Sequence, residues 1–132
     1  MGLNIFQRRR ILKGANYLEL TPVRTQAFEI DDDRKVVLLV PKFSNKKLSN
    51  FLIPKGKPTH FKIHFDELGS ATWLTIDDKM NVNQLCMLLS EKFGEQIHPV
   101  YERVTKFLTL MYEQRYITFK ELSDAEKRLR NT

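Results

Sequence analysis

The side chains able to do chemistry in this sequence are few, and they are scattered. Its three histidines are His60, His64 and His98, and its single cysteine is Cys86. His60 and His64 are four apart in an alternating stretch, so they share one strand face, and Cys86 or His98 could complete a metal set. The spacing is not that of a structural zinc site, and Cys86 falls on the apolar face of a predicted helix, so no metal is expected. The carboxylates sit in turns and on helix surfaces. No glycine-rich phosphate loop and no nucleophile elbow is present. The chain reads as a protein that performs no catalysis.

What must position any binding residues is the stretch His60–Phe119, read as strand, helix, helix, long helix, strand. His60-Phe61-Lys62-Ile63-His64-Phe65 alternates polar with large apolar residues, the period of a strand with one buried face. Asp66 caps a first helix over 67–76. Asp77-Asp78-Lys79 is a turn. Asn81 caps a second helix with Gln84 as its capping-box partner, and Gly94 ends it. Pro99 opens a third helix reaching about Gln114. Tyr116–Phe119 is a closing strand or wing, and 121–130 a charged terminal helix or tail.

Upstream, Tyr17–Leu20 is a possible short strand. Ala27–Ile30 and Lys35–Phe43 form a hairpin across the acidic turn Asp31–Asp33. Val36–Val40 is apolar throughout, which predicts burial on both faces. Residues 44–59 read as a long loop with an apolar cluster at Leu48, Phe51, Leu52 and Ile53. Residues 1–16 read as a partly ordered basic arm, with a short amphipathic helix touching an acidic partner or a membrane surface as the other reading.

The fold class is therefore α+β and winged-helix-like. We expect a three-stranded antiparallel sheet packed on a three-helix bundle, with an N-terminal arm over 1–16, a single domain over 17–119 and a C-terminal helical tail over 120–132. The 132 residues are 42% hydrophobic and 29% charged, an ordinary globular balance. The N-terminus lacks a signal-peptide core, no stretch is apolar enough to span a bilayer, and one cysteine permits no internal disulfide, so a cytoplasmic protein is expected. The net charge of +6 is uneven. Residues 1–60 carry twelve Lys/Arg against five Asp/Glu, and residues 61–132 carry ten against eleven.

A basic winged helix raises the prospect of DNA binding. The third helix argues against it. Val100, Val104, Phe107, Leu108 and Met111 form its core stripe, and Glu102, Arg103, Lys106 and Glu113 nearly cancel on its polar face, whereas a helix placed among phosphates should be cationic. Its uncharged shoulder, Tyr101, Thr105 and Tyr112, suits an extended peptide that pairs with the edge of strand 60–65. Each backbone hydrogen bond contributes only ~1 kcal/mol net, so one or two buried anchors must share the work.

Phe65-Asp66-Glu67-Leu68-Gly69-Ser70-Ala71-Thr72-Trp73, Ile76-Asp77-Asp78, Val82-Asn83-Gln84-Leu85, Phe93-Gly94 and Val104-Thr105-Lys106-Phe107-Leu108 together resemble the PqqD-like family. Pro22-Val23-Arg24 and Val37-Leu38-Leu39-Val40-Pro41-Lys42 extend the likeness over about residues 20–119. The resemblance implies a RiPP recognition element. Such a chaperone needs no cofactor, binds the leader of a ribosomally made precursor peptide by strand addition, and presents it to a modifying enzyme, often a radical-SAM protein. Carried onto this chain, the leader would lie along Phe61, Lys62, Ile63, His64 and Phe65 and against Tyr101, Thr105, Leu108 and Tyr112. Lys62 and His64, on the opposite strand face from Phe61 and Phe65, could meet acidic groups. The alternatives are a winged-helix transcription factor and a structural interaction module. An edge strand also permits a monomer or an edge-paired or swapped dimer.

Overall fold

In the computed structural model, residues 3–42 and 60–131 are described. The loop expected over 44–59, with its apolar cluster, lies outside the described residues. The architecture is α+β, and the described residues form five helices, a three-stranded antiparallel sheet and a two-stranded one. The chain forms two compact units, Gln26–Ser70 and Met1–Thr25 with Ala71–Thr132.

The smaller unit holds strands β2 (Phe28–Ile30), β3 (Val36–Pro41) and β4 (His60–His64), in the order β2-β3-β4. The acidic turn closes the β2–β3 hairpin as expected. Asp31 Oδ1 accepts the N–H of Asp33 and of Lys35, both at 2.9 Å, while Arg34 takes a left-handed φ of 64°. Leu38 pairs with Phe28 on one side and Ile63 on the other. Val36, Val37 and Leu38 are buried. Successive residues point to opposite faces, so β3 is buried on both of them, as its unbroken apolar run predicts. Asp66 Oδ1 accepts the Gly69 N–H at 2.7 Å and so caps helix α2 (Glu67–Thr75), whose Ser70 Oγ accepts the Val36 N–H at 2.8 Å.

The larger unit contains helices α1 (Ile5–Lys13), α3 (Val82–Phe93), α4 (Val100–Glu113) and α5 (Ser123–Arg130), with strands β1 (Pro22–Arg24) and β5 (Ile117–Phe119) paired antiparallel. The capping box at the start of α3 forms as its sequence dictates. Asn81 Oδ1 accepts the Gln84 N–H at 2.8 Å, and Gln84 Oε1 accepts the Asn81 N–H at 2.9 Å. Gly94 ends the helix at φ 57°, a conformation that strains any residue with a Cβ. The core joins Leu85, Cys86 and Leu89 of α3, Val104, Leu108, Met111 and Tyr112 of α4, and Ile117 and Phe119 of β5.

The strand expected at Tyr17–Leu20 is corrected here. Tyr17–Glu19 is a 3-10 turn and not a strand, because turning the backbone carries the Tyr17 ring to Phe119, at 5.7 Å between centroids, and its hydroxyl to α4. The strand follows at Pro22–Arg24. On either side of that strand Thr21 O accepts the Lys120 N–H and the Thr25 N–H donates to Tyr116 O, so by alternation Pro22 has its missing donor on the side away from β5. The closing strand β5 accordingly joins β1 and not the main sheet.

The N-terminal arm is an ordered helix. Asn4 and Gln7 form a second capping box, and Leu3, Arg8 and Leu12 are buried. Arg8 Nη1 donates to Tyr112 O at 2.8 Å and Ile117 O at 3.4 Å, and the guanidinium lies 4.4 Å from the centre of the Tyr112 ring. The tail is likewise docked. Glu126, 6% exposed, accepts from the Tyr112 hydroxyl at 3.0 Å and faces Arg130 at 3.6 Å.

Candidate peptide-binding surface

Strand β4 stands last in its sheet, and among the described residues no strand lies beyond it. Its hydrogen-bonding phase follows from one contact, the Phe65 N–H donating to Val36 O at 2.9 Å. Peptide groups alternate sides along a strand, so those of Phe61, Ile63 and Phe65 turn toward β3. Those of Lys62 and His64 turn outward, where an added strand would bond.

The side chains divide the other way, by face. Phe61 is opposite Val40 and Ile63 opposite Leu38, and the sheet continues through Phe28 to the other edge. This apolar face was expected to be buried throughout. It is buried at Val36 and Leu38, half-buried at Ile63 and Val40, and open at Phe61, which is 57% exposed. Lys42 Nζ stands 5.3 Å from the centre of the Phe61 ring. On the reverse face His60, Lys62 and His64 are exposed, and Lys62 reaches Glu29 at 3.4 Å. An extended segment added at β4 would thus find outward N–H and C=O groups at two positions and an apolar surface beside them.

The four α4 positions expected to flank such a peptide are not one surface. Tyr101 is 45% exposed and its hydroxyl donates to Asn83 Oδ1 of α3 at 2.9 Å. Thr105 is half-buried, and its hydroxyl is turned back on its own helix, to Tyr101 O at 2.7 Å. Leu108 and Tyr112 are wholly buried. The shoulder drawn from helical periodicity therefore fails at its C-terminal half. There the helices read as arm and tail close over Tyr112, through Arg8 on its ring and Glu126 on its hydroxyl. Burial, followed by the Glu126 charge, pushes the Tyr112 hydroxyl well above the usual tyrosine range despite the nearby Arg8 cation.

What the α4 face offers instead is a groove of about 1040 Å³ bordered by Tyr17, Leu18, Phe107 and Leu110. Tyr17 donates to Thr105 O at 3.1 Å and shares a 2.8 Å bond with Thr109, which fixes this wall. Desolvation raises its hydroxyl to about 12, against the opposing pull of the Thr109 bond. Sequence reasoning missed this groove, because it assigned Tyr17 to a strand. The buried role of Arg8 did have a signal: Ile5, Arg8 and Leu12 recur at helical spacing, which places Arg8 on the covered side of α1.

Among the described residues no group of three or more His, Cys, Asp or Glu is arranged to hold a metal ion. Cys86 is buried, and burial raises its thiol to about 11. No helix among the described residues is long and apolar enough to cross a membrane. Comparison with protein-family models, curated proteins and solved structures gave no match.

Proposed function

We propose that this chain is a non-catalytic, cytoplasmic peptide-binding chaperone of the PqqD-like, winged-helix-like kind. It captures the leader of a ribosomally made precursor by strand addition and presents it to a modifying enzyme, a radical-SAM protein being the expected class. The observation that carries the reading is the margin of the three-stranded sheet. There β4 turns the peptide groups of Lys62 and His64 outward beside an exposed Phe61. Backbone pairing there sets the register of the guest, and Phe61 with Ile63 accepts its apolar side chains. Holding the precursor raises its concentration at the enzyme without any chemistry in the domain itself. The order strand, three helices, strand over 60–119 and the sequence likeness over 20–119 support the same reading.

The test uses extended peptides selected on the immobilised full chain and then titrated against it by fluorescence anisotropy. Lys62→Pro removes an outward N–H and leaves the β3 ladder intact, so it should weaken binding about tenfold, the loss of one buried hydrogen bond and its geometry. Lys62→Ala keeps the backbone donor and should bind within about twofold of wild type. Equal affinity of Lys62→Pro and Lys62→Ala would refute strand addition. Binding of random duplex DNA, stronger than of any peptide and steeply salt-dependent, would favour the transcription-factor reading instead.

A further inference from the structure

The groove on α4 belongs to the larger unit and shares no residue with β4, so its function stands apart from peptide capture at the sheet. It follows α4 from Glu102 to Glu113, a length of about 16 Å at ~1.5 Å per residue. Its apolar borders are open to solvent, Leu18 at 38% and Leu110 at 50%. At the far end Glu113 is paired with Arg9 and also lines a second hollow, of about 410 Å³, beside Phe6. Phe6 is 74% exposed.

Positive charge in this unit is concentrated on its two terminal helices, of which α1 reaches the groove through the Arg9–Glu113 pair. Helices α1 and α5 carry seven Lys/Arg and only two Asp/Glu, and one of those acids, Glu126, is buried. They hold a net +5, while the rest of their unit is net −1. On α1 the outward positions Phe6, Arg9, Arg10 and Lys13 form one stripe at helical spacing, with no acid on that helix. Among the described residues no ion pair engages Arg10, Lys13, Lys127 or Arg128.

We propose that this groove seats an acidic amphipathic helix of a partner protein, about three turns long. Its apolar stripe enters between Leu18, Phe107 and Leu110, and its flanking carboxylates face the cations of α1. A helix suits the site better than an extended strand. Tyr17 and Thr105 already spend their hydroxyls within the fold, so the walls offer little to an unpaired backbone, whereas a helix satisfies its own. Glu102 and Glu113 balance Arg103 and Lys106 on the lining, so the groove itself has no cationic surplus to hold a nucleic-acid backbone, and the charge that selects the guest comes from α1 at its edge.

The probe is a stapled helical peptide of about 14 residues, with Leu at positions i, i+3, i+4 and i+7 and Glu elsewhere, titrated against the full chain. Its charge-reversed analogue carries Lys in place of Glu. The acidic peptide should bind, more weakly as salt rises from about 50 to 500 mM, and at least about tenfold more tightly than the analogue. Leu110→Lys and, separately, Leu18→Glu should each weaken it about tenfold or more, and Arg10→Glu with Lys13→Glu should do the same and flatten the salt dependence. All these positions are exposed, and an unchanged thermal midpoint verifies each fold. The proposal is overturned if the acidic peptide does not bind at millimolar concentration, if its analogue binds as well, or if the folded groove variants bind like wild type. Sedimentation of the chain with phosphatidylserine vesicles in place of peptide binding would overturn it in favour of a membrane surface.

Discussion

Replacing Arg8 by alanine asks directly whether the first helix is part of the fold. Arg8 is 9% exposed, and its guanidinium donates to the carbonyl oxygens of Tyr112 and Ile117 and covers the Tyr112 ring at 4.4 Å. Charged hydrogen bonds of this kind contribute about 1.5–3 kcal/mol, and a desolvated cation–π contact about 2. Two effects oppose them. Burying a cation has its own cost, and Arg8 Nε is buried without a hydrogen-bond partner. Tyr112 O also keeps a second donor in the Arg115 N–H, so the truncation does not strand it. The net loss should be about 2–3 kcal/mol. For a chain of 132 residues, an unfolding entropy of ~2.1 cal/mol/K per residue converts each kcal/mol into about 3.5 °C. Arg8→Ala should therefore melt about 7–10 °C below wild type when followed by circular dichroism. Arg9→Ala breaks a pair in which the arginine side chain is 59% exposed and the Glu113 side chain 10%, and should shift the midpoint by less than Arg8→Ala does. A midpoint for Arg8→Ala within about 2 °C of wild type would refute the docking of α1.

Two further outcomes follow from titratable groups that the fold desolvates. The Tyr17 hydroxyl is raised to about 12 by desolvation, so the folded chain holds its proton where the unfolded chain has lost it. The stability it provides is complete below the ordinary tyrosine value near 10 and is lost as pH rises toward 12. Urea midpoints should fall over that window, and less steeply in Tyr17→Phe; identical slopes would show that the Tyr17 hydroxyl is not desolvated. The Cys86 thiol, raised to about 11 and enclosed by the core, should react with a disulfide reagent at pH 8 at least about a hundredfold more slowly than in denaturant. Rapid labelling of the native chain would contradict its place in the core.

Local signals in the sequence were enough wherever a residue acts on its own neighbours. Asn81 with Gln84, Asp66 before α2, Asp31 in its turn and Gly94 at a helix end each satisfy or release backbone groups within four residues, so their roles read directly from spacing. The apolar run Val36–Val40 likewise announced a strand buried on both faces. The site was legible only in part. Alternation identified β4 but not how far its apolar face is covered, since that depends on what lies over Phe61 and not on Phe61 itself.

The remaining features were decided by long-range contacts that leave no local pattern. Tyr101, Thr105 and Tyr112 are nearly equivalent around a helical wheel, yet one is exposed, one half-buried and one wholly buried. The difference arises because residues about a hundred positions earlier and fourteen later close over one end of α4. A basic arm and a charged tail look dispensable in sequence because their charges dominate their composition. Only the tertiary structure shows Arg8 and Glu126 buried on either side of one tyrosine, and only the turn at Tyr17 makes the groove beside them.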